Sequence, residues 1–179
     1  MVAEEISGTP EPFWFLKNVD LAAFDDVSKA AKSQNFITNP DIYALASLGR
    51  KLVKICGEKK LASLHAIFCN INLPFFVAEC NPNEFRFFYE CKYSPLSGKY
   101  SFLEKHFYTN DSRYVDSNYY VSRYNEIVLV GEEIIIGQNP RLKSVEERVD
   151  GQLAILVQHE IEIQSGRFVF EYANRVEIQ

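Results

Sequence analysis

The sequence predicts an α+β fold in which helices lie before and after a strand-rich middle. Two early segments have apolar residues spaced three and four apart, as in helices that bury one face, and the runs between residues 72 and 149 are rich in Phe, Tyr, Ile and Val, which favour strands. No Pro-, Gly- or Ser-rich linker divides the 179 residues. Because this length supports one well-buried core, residues 1–179 are interpreted as a single domain.

The charge and composition exclude several classes of partner. The net charge is -5 and the basic residues are scattered, whereas binding to a phosphate backbone needs clustered Lys and Arg, so no nucleic-acid partner is expected. The acidic start "MVAEEISGTPEPFWF" lacks the basic and apolar regions of a signal peptide, and no run of apolar residues is long enough to cross a membrane. We therefore expect a cytoplasmic protein without membrane contact. The cysteines lack C-x-x-C spacing and are expected to be reduced and partly buried, namely Cys56, Cys69, Cys80 and Cys91.

Two helices are predicted in the first third of the chain. The stretch "DLAAFDDVSKAAK" predicts a short helix with three inward apolar side chains, Leu21, Phe24 and Val27. The stretch "TNPDIYALASLGRKLVKICG" predicts a long helix over about residues 39–56. Thr38 or Asn39 is its expected N-cap, Pro40 its first residue, and Gly57 its end.

Largely antiparallel strands are predicted between residues 72 and 149. Four runs favour strands, "LPFFVAE", "EFRFFYECKY", "NEIVLVG" and "EEIIIGQ", and Asn-Pro-Asn between the first two indicates a turn. The polar, tyrosine-rich stretch at residues 108–124 is predicted to be a long loop that leads into a strand at Val121. Because Tyr is enriched at interfaces, this loop is a candidate contact for a protein partner.

The stretch "RLKSVEERVDGQLAILVQHEIEIQSG" allows two interpretations. Ser144 followed by Glu147 imitates a capping box and would start a helix there, whereas the alternation of residues 145–149 is typical of a strand. An Asp-Gly pair offers a later helix start, and the nearly continuous apolar run that follows predicts a buried helix over about residues 150–164. Gly166 is expected to end it in the left-handed conformation.

This last helix contains half of a metal-hydrolase motif. In His-Glu-x-x-His, two imidazoles four residues apart bind a metal ion, and the Glu beside them acts as general base. His159 and Glu160 supply the first half, but Ile163 stands at the position of the second imidazole.

The stretch "QHEIEIQSG" resembles the third motif of the peptide deformylases, Gln-His-Glu-x-Asp-His-Leu-x-Gly. Glu162 stands at the Asp position and Ile163 at the second His. The resemblance extends over about residues 36–173. It implies the deformylase-like α+β fold, with a long N-terminal helix, mostly antiparallel strands and a central buried helix. It also implies that residues 143–148 form a strand.

The resemblance implies roles for five residues. Glu160 would be the catalytic acid–base and His159 a metal ligand. Val121 and Arg123 set a register that puts Asp111 at the position of the family's metal-binding Cys. The stretch "LASLHAIFCNI" corresponds to the family's first motif, Gly-x-Gly-Leu-Ala-Ala-x-Gln, with Leu61 and Ser63 at the two glycines. Leu64 is retained, and Phe68 replaces the Gln that holds the substrate formyl oxygen. Both are assigned to substrate binding.

Three functions remain open. The first is a catalytically impaired or inactive deformylase-like protein that retains a cleft for an extended peptide. The second is an active metallohydrolase that removes formyl groups from N-formylmethionyl peptides, with Glu162 or His65 completing the ligand set. The third is an interaction module with a protein partner. No tightly bound cofactor is expected; if there is one, it is a divalent ion such as Zn, Fe or Ni.

Overall fold

A computed structural model of the protein describes residues 19–110 and 113–176. The elements follow the order α1 (Phe24–Ser33), α2 (Ile42–Lys59), β1 (Ser63–His65), a 3₁₀ turn (Ala66–Cys69), β2 (Phe75–Asn81), β3 (Glu84–Pro95), β4 (Lys99–Asn110), β5 (Arg113–Tyr124), β6 (Glu126–Ile135), β7 (Arg141–Asp150), α3 (Gly151–Gln164), a second 3₁₀ turn (Val169–Glu171) and β8 (Asn174–Val176). The α+β class predicted from the sequence is confirmed.

The described strands form two antiparallel sheets. The larger sheet has the order β1-β2-β3-β6-β7 and the smaller one the order β4-β5-β8. Helix α3 contacts strands of both sheets. This position places its side chains where the two sheets meet.

Helix α2 packs on the larger sheet and differs from the prediction at both ends. Its N-cap is Asp41, whose carboxylate accepts hydrogen bonds from the backbone N–H groups of the second and third helical residues at 2.8 and 3.1 Å, so the predicted caps at Thr38 or Asn39 are wrong. The helix continues through Gly57 and ends at Lys59, since the next residue, Lys60, adopts the left-handed conformation.

The close packing of α2 depends on one glycine. A Cβ on Gly49 would lie 2.3 Å from Cδ1 of Phe87, whereas a Cβ on Gly57 would meet nothing within 4 Å. Gly49 therefore lets the helix approach β3, and Gly57 has no such role.

The β4–β5 hairpin corrects the predicted loop over residues 108–124. In the described part of this stretch, residues 108–110 end β4 and residues 113–124 form β5, paired from Lys99 opposite Tyr124 to Asn110 opposite Arg113. Tyr119, Val121 and Arg123 are buried and alternate with exposed residues. The strand period was hidden because Tyr and Arg occupy buried positions where an aliphatic residue is usual.

The ambiguous stretch is a strand followed by a helix, as the resemblance implied. Strand β7 pairs with β6 along its whole length, and its buried side chains are Val145 and Val149. Helix α3 begins at Gly151, and Gly166 follows its end with a φ of 73° as predicted. The two runs "NEIVLVG" and "EEIIIGQ" form one strand, β6.

Two further expectations concern thiols and membranes. All four cysteines are free; Cys56, Cys69 and Cys91 are buried and Cys80 is half-buried. Within residues 19–110 and 113–176, no helix is both long enough and apolar enough to span a bilayer.

Candidate functional site

A cavity of about 570 Å³ lies where the end of α2, β1, β4 and α3 meet. Its walls are mostly apolar and include Leu64, Phe68, Phe102, Ile155 and Leu156. The volume lies in the range of about 300–1,000 Å³ that is usual for small-molecule sites.

The structure brings four of the five predicted site residues to this cavity. His159 and Glu160 line it from α3, Leu64 from β1, and Phe68 from the 3₁₀ turn after β1. The fifth, Asp111, lies outside the described residues.

Glu160 is a buried carboxyl group at the cavity wall. It is 1% exposed, and its Oε1 atom accepts a hydrogen bond from Ser63 Oγ. Burial raises the pKa of Glu160 to about 8, although the Ser63 hydrogen bond and the positive charge of Arg123 act in the opposite direction. Its Oε2 atom has no hydrogen-bond partner among the described residues. At neutral pH the group is therefore mostly protonated and able to donate a hydrogen bond.

Gln158 holds the helix against β5. Its Oε1 accepts from the Tyr124 backbone N–H at 2.9 Å, and its Nε2 donates to the Tyr124 carbonyl at 2.7 Å and to the Ala154 carbonyl at 2.9 Å. The first residue of the Gln-His-Glu motif thus has a structural role and is not a partner of Glu160.

Glu162 belongs to an ion-pair network and not to the cavity. Arg123 is 1% exposed; it donates to both oxygens of Glu104 at 2.8 and 3.2 Å and to Glu162 Oε2 at 2.5 Å. Glu162 also accepts a hydrogen bond from Tyr172. The interpretation of Glu162 as a third metal ligand is therefore wrong, because its carboxylate neutralises a buried guanidinium.

His65 is also unsuited to the role of third ligand. It is 0% exposed, and its Nδ1 accepts a hydrogen bond from the Ile67 N–H at 3.1 Å. Burial lowers the pKa of His65 to about 3, so the ring is neutral and its proton lies on Nε2. This ring is absent from the cavity lining.

The described residues do not fit a three-ligand metal site. Among residues 19–110 and 113–176, no group of three His, Cys, Asp or Glu side chains is placed to hold an ion. Ile163, at the position of the second imidazole, is 1% exposed and packs with Val27, Ile67 and Phe168 in an apolar cluster. A metal that relied on His159 would need its other ligands from elsewhere.

Sequence reasoning missed two functional neighbours. Ser63, which binds Glu160, stands where the first motif has a glycine, and that polar replacement was a signal. Glu104, which binds Arg123, lies in the apolar strand run "SFLEKHF", where an isolated carboxylate indicates a buried ion pair. Neither partner is close in sequence to the residue it binds.

Comparison with solved structures identifies the fold. A probable peptide deformylase from Synechococcus phage S-SSM7 matches with a TM-score of 0.66 and 17% identity over 86% of this chain and 99% of that chain. The peptide deformylase from Thermotoga maritima matches with a TM-score of 0.65 and 18% identity, over 89% and 98% of the two chains. The enzyme from Synechococcus elongatus, in complex with actinonin, matches with a TM-score of 0.65 and 16% identity, over 97% and 85%.

Sequence comparison gives no such match. No protein-family model matches the chain, and neither does any curated protein. The class of protein is thus defined by structure: this chain has the fold of the peptide deformylases and is divergent in sequence from them.

Proposed function

We propose that this chain is a deformylase-fold binding protein, which takes the end of an extended peptide into its cavity and does not hydrolyse formyl-Met peptides at an enzymatic rate. The observation that carries the proposal is Ile163. It is buried in an apolar cluster at the position where the resemblance requires the second metal-binding imidazole.

The strand edges beside the cavity support peptide binding. In the described part of the chain, β1 and β4 each end a sheet, and both contribute to the cavity wall. An extended peptide pairs its backbone with such an edge and places alternate side chains in adjoining pockets. The apolar wall at Leu64 and Phe68 suits an apolar side chain such as that of methionine.

The state of Glu160 suits a binding role. Burial raises the pKa of this carboxyl to about 8, so it is mostly protonated at neutral pH. A protonated carboxyl donates a hydrogen bond to a carbonyl oxygen, which suits recognition of a formyl or peptide carbonyl.

One observation favours a metal-dependent alternative. His159 lines the cavity beside Glu160, and these are the first two residues of the metal-hydrolase motif. Together with Asp111, which the resemblance assigns as a ligand, His159 would hold a divalent ion that supplies Lewis-acid chemistry.

The experiment combines three measurements on protein purified without chelator: metal content, turnover of a formyl-Met tripeptide, and binding of that peptide by calorimetry. We expect less than stoichiometric metal, turnover far below the usual enzyme range of about 1–1,000 per second, and saturable peptide binding. Stoichiometric metal that is lost in His159→Ala, together with enzymatic turnover, would overturn the proposal.

A matched pair of variants locates the binding site. Leu103 lines the cavity and is 49% exposed, whereas Leu142 on β7 is 43% exposed and is not part of the lining. We expect Leu103→Lys to weaken peptide binding and Leu142→Lys to leave it unchanged. Equal effects of the two changes would mean that the peptide does not bind in the cavity.

A further inference from the structure

The described chain begins at the rim of the cavity. Leu21 and Ala22 are part of the lining, and the Ala22 N–H donates to the Phe68 carbonyl at 2.7 Å. Val19 is partly buried against the core cluster beneath α2. Residues 1–18 are therefore attached to the chain next to the cavity.

The sequence before this anchor has the properties of a cavity ligand. Residues 13–16, Phe-Trp-Phe-Leu, are four consecutive large apolar residues in a chain of ordinary composition. Contiguous apolar patches on a monomer usually mark a binding site or a contact. Pro10 and Pro12 precede them and favour an extended backbone, which lowers the conformational entropy lost on docking.

The charges of the segment and of the cavity rim are opposite. Three lysines line the cavity, Lys59 and Lys60 at the end of α2 and Lys105 on β4. The carboxylate on that side, Glu104, is bonded to Arg123. Residues 1–18 contain three glutamates and one lysine. The acidic residues precede the aromatic run, so that the run can enter the apolar interior while the glutamates remain at the lysine rim.

The connection is long enough. Trp14 precedes Leu21 by seven residues, and an extended chain spans at most about 3.6 Å per residue, or about 25 Å in all. This reach exceeds the width of a cavity of about 570 Å³.

We propose that residues 13–16 dock in the cavity of their own chain, with the preceding glutamates beside Lys59, Lys60 and Lys105. The chain thus carries its own occupant, which an external peptide must displace. The docking does not depend on the function proposed above; only the competition rests on it.

Tryptophan fluorescence tests the docking, because Trp14 is the single tryptophan of the chain. The full chain is compared with a synthetic peptide of residues 1–18. We expect emission from the full chain to be shifted to shorter wavelength and to be several-fold less quenched by acrylamide. Leu103→Lys should move both values towards those of the peptide, and Leu142→Lys should not.

Three results would overturn the docking. Emission equal to that of the free peptide would show that Trp14 is in water. A blue shift unaffected by Leu103→Lys would place the aromatic run elsewhere. A shift that disappears on dilution, together with a change from dimer to monomer in size-exclusion chromatography, would assign the segment to the cavity of a second copy.

Competition is measured in the full chain with Phe13→Ser/Phe15→Ser, which keeps Trp14. We expect the double variant to lose the blue shift and to bind the formyl-Met tripeptide several-fold more tightly than the wild type. A lost shift with unchanged tripeptide affinity would overturn the competition. A lost shift with no tripeptide binding in either protein would overturn the proposed function and leave the docking supported.

Discussion

Replacing Glu160 by Gln tests whether the carboxyl group at the cavity wall is protonated. Burial raises its pKa from the ordinary 4.5 to about 8, so between these values the folded protein binds more protons than the unfolded chain. Glu160 therefore makes the folded state less stable as the pH rises from about 5 to about 8. Gln keeps the oxygen that accepts from Ser63 and cannot ionise.

The size of the effect follows from the shift in pKa. Each pKa unit corresponds to about 1.36 kcal/mol, so Glu160 should lower the free energy of unfolding by about 3–4 kcal/mol between pH 5 and pH 8. Domains are stable by about 5–15 kcal/mol in total. The loss is therefore a large fraction of the stability.

The assay is urea denaturation at several pH values between 5 and 8 for wild type, Glu160→Gln and the exposed control Glu146→Gln. Other ionisable groups are common to the three proteins, so the difference between wild type and Glu160→Gln isolates one carboxyl. We expect this difference to shift by about 3–4 kcal/mol in favour of the variant from pH 5 to pH 8, while the control remains parallel to wild type.

A constant difference between wild type and Glu160→Gln would refute the reasoning, because it would mean that Glu160 is ionised in the folded state throughout. A repeat with chelator identifies the cause. If the pH dependence appears only after metal is removed, a bound cation had kept the carboxylate charged, and the metal-dependent alternative would gain support.

Three further predictions concern buried positions. Arg123→Met removes the buried cation that pairs with Glu104 and Glu162, and it should lower the free energy of unfolding by about 3–5 kcal/mol in a denaturant melt. Arg167→Ala removes an exposed and more distant partner of Glu162 and should lower it by less than about 1 kcal/mol. Gly49→Ala should lower the free energy of unfolding by about 1–3 kcal/mol through overpacking against Phe87. Gly57→Ala in the same helix should raise it by about 0.5–1 kcal/mol, because Ala favours a helix more than Gly does. Equal effects of the two changes would contradict the close approach of α2 to β3. Ile163→His should lower the free energy of unfolding by about 1–3 kcal/mol, and its melting temperature should not rise with Zn²⁺, because the described residues add no third ligand to His159 and the introduced imidazole; a metal-dependent rise would contradict this account.

Local sequence signals predicted most of the fold. Apolar spacing located α1 and α2, and Phe- and Tyr-rich runs located β2 and β3, because these elements bury one face or both. The ends of α2 were less predictable. Three residues of "TNPD" are good N-caps, so the sequence alone did not single out Asp41. A glycine destabilises a helix interior by only about 1 kcal/mol, so the packing of α2 outweighs the cost of Gly57 and the helix continues beyond it.

Long-range contacts decided what local signals left open. The capping box at Ser144 and Glu147 favours a helix locally, but pairing with β6 along ten residues outweighs it. The hairpin of β4 and β5 was missed for the same reason. Its stability depends on a buried Arg123 whose two carboxylate partners lie 19 and 39 residues away.

The sequence motifs of the candidate site were predictable, whereas the contacts between their side chains were not. The resemblance predicts that the Gln-His-Glu stretch and the segment around Leu64 lie together, and residues of both line the cavity. The partner of Glu160 was not predictable, because Ser63 is 97 residues away and reaches it only after β1 and α3 have packed.

The two hydrogen bonds between Gln158 and the Tyr124 backbone fix the position of α3 along the sheet. Each residue advances a helix by about 1.5 Å and turns it by about 100°. A shift of α3 by one residue would break both bonds to Tyr124 at once, since a single amide group satisfies the donor and the acceptor of that peptide backbone. The amide therefore sets the register of α3 against β5. Glu160 lies two residues further on and contacts Ser63 only in that register. A substitution at Gln158 should therefore weaken the Ser63–Glu160 hydrogen bond at the cavity, although the Gln158 side chain does not line it.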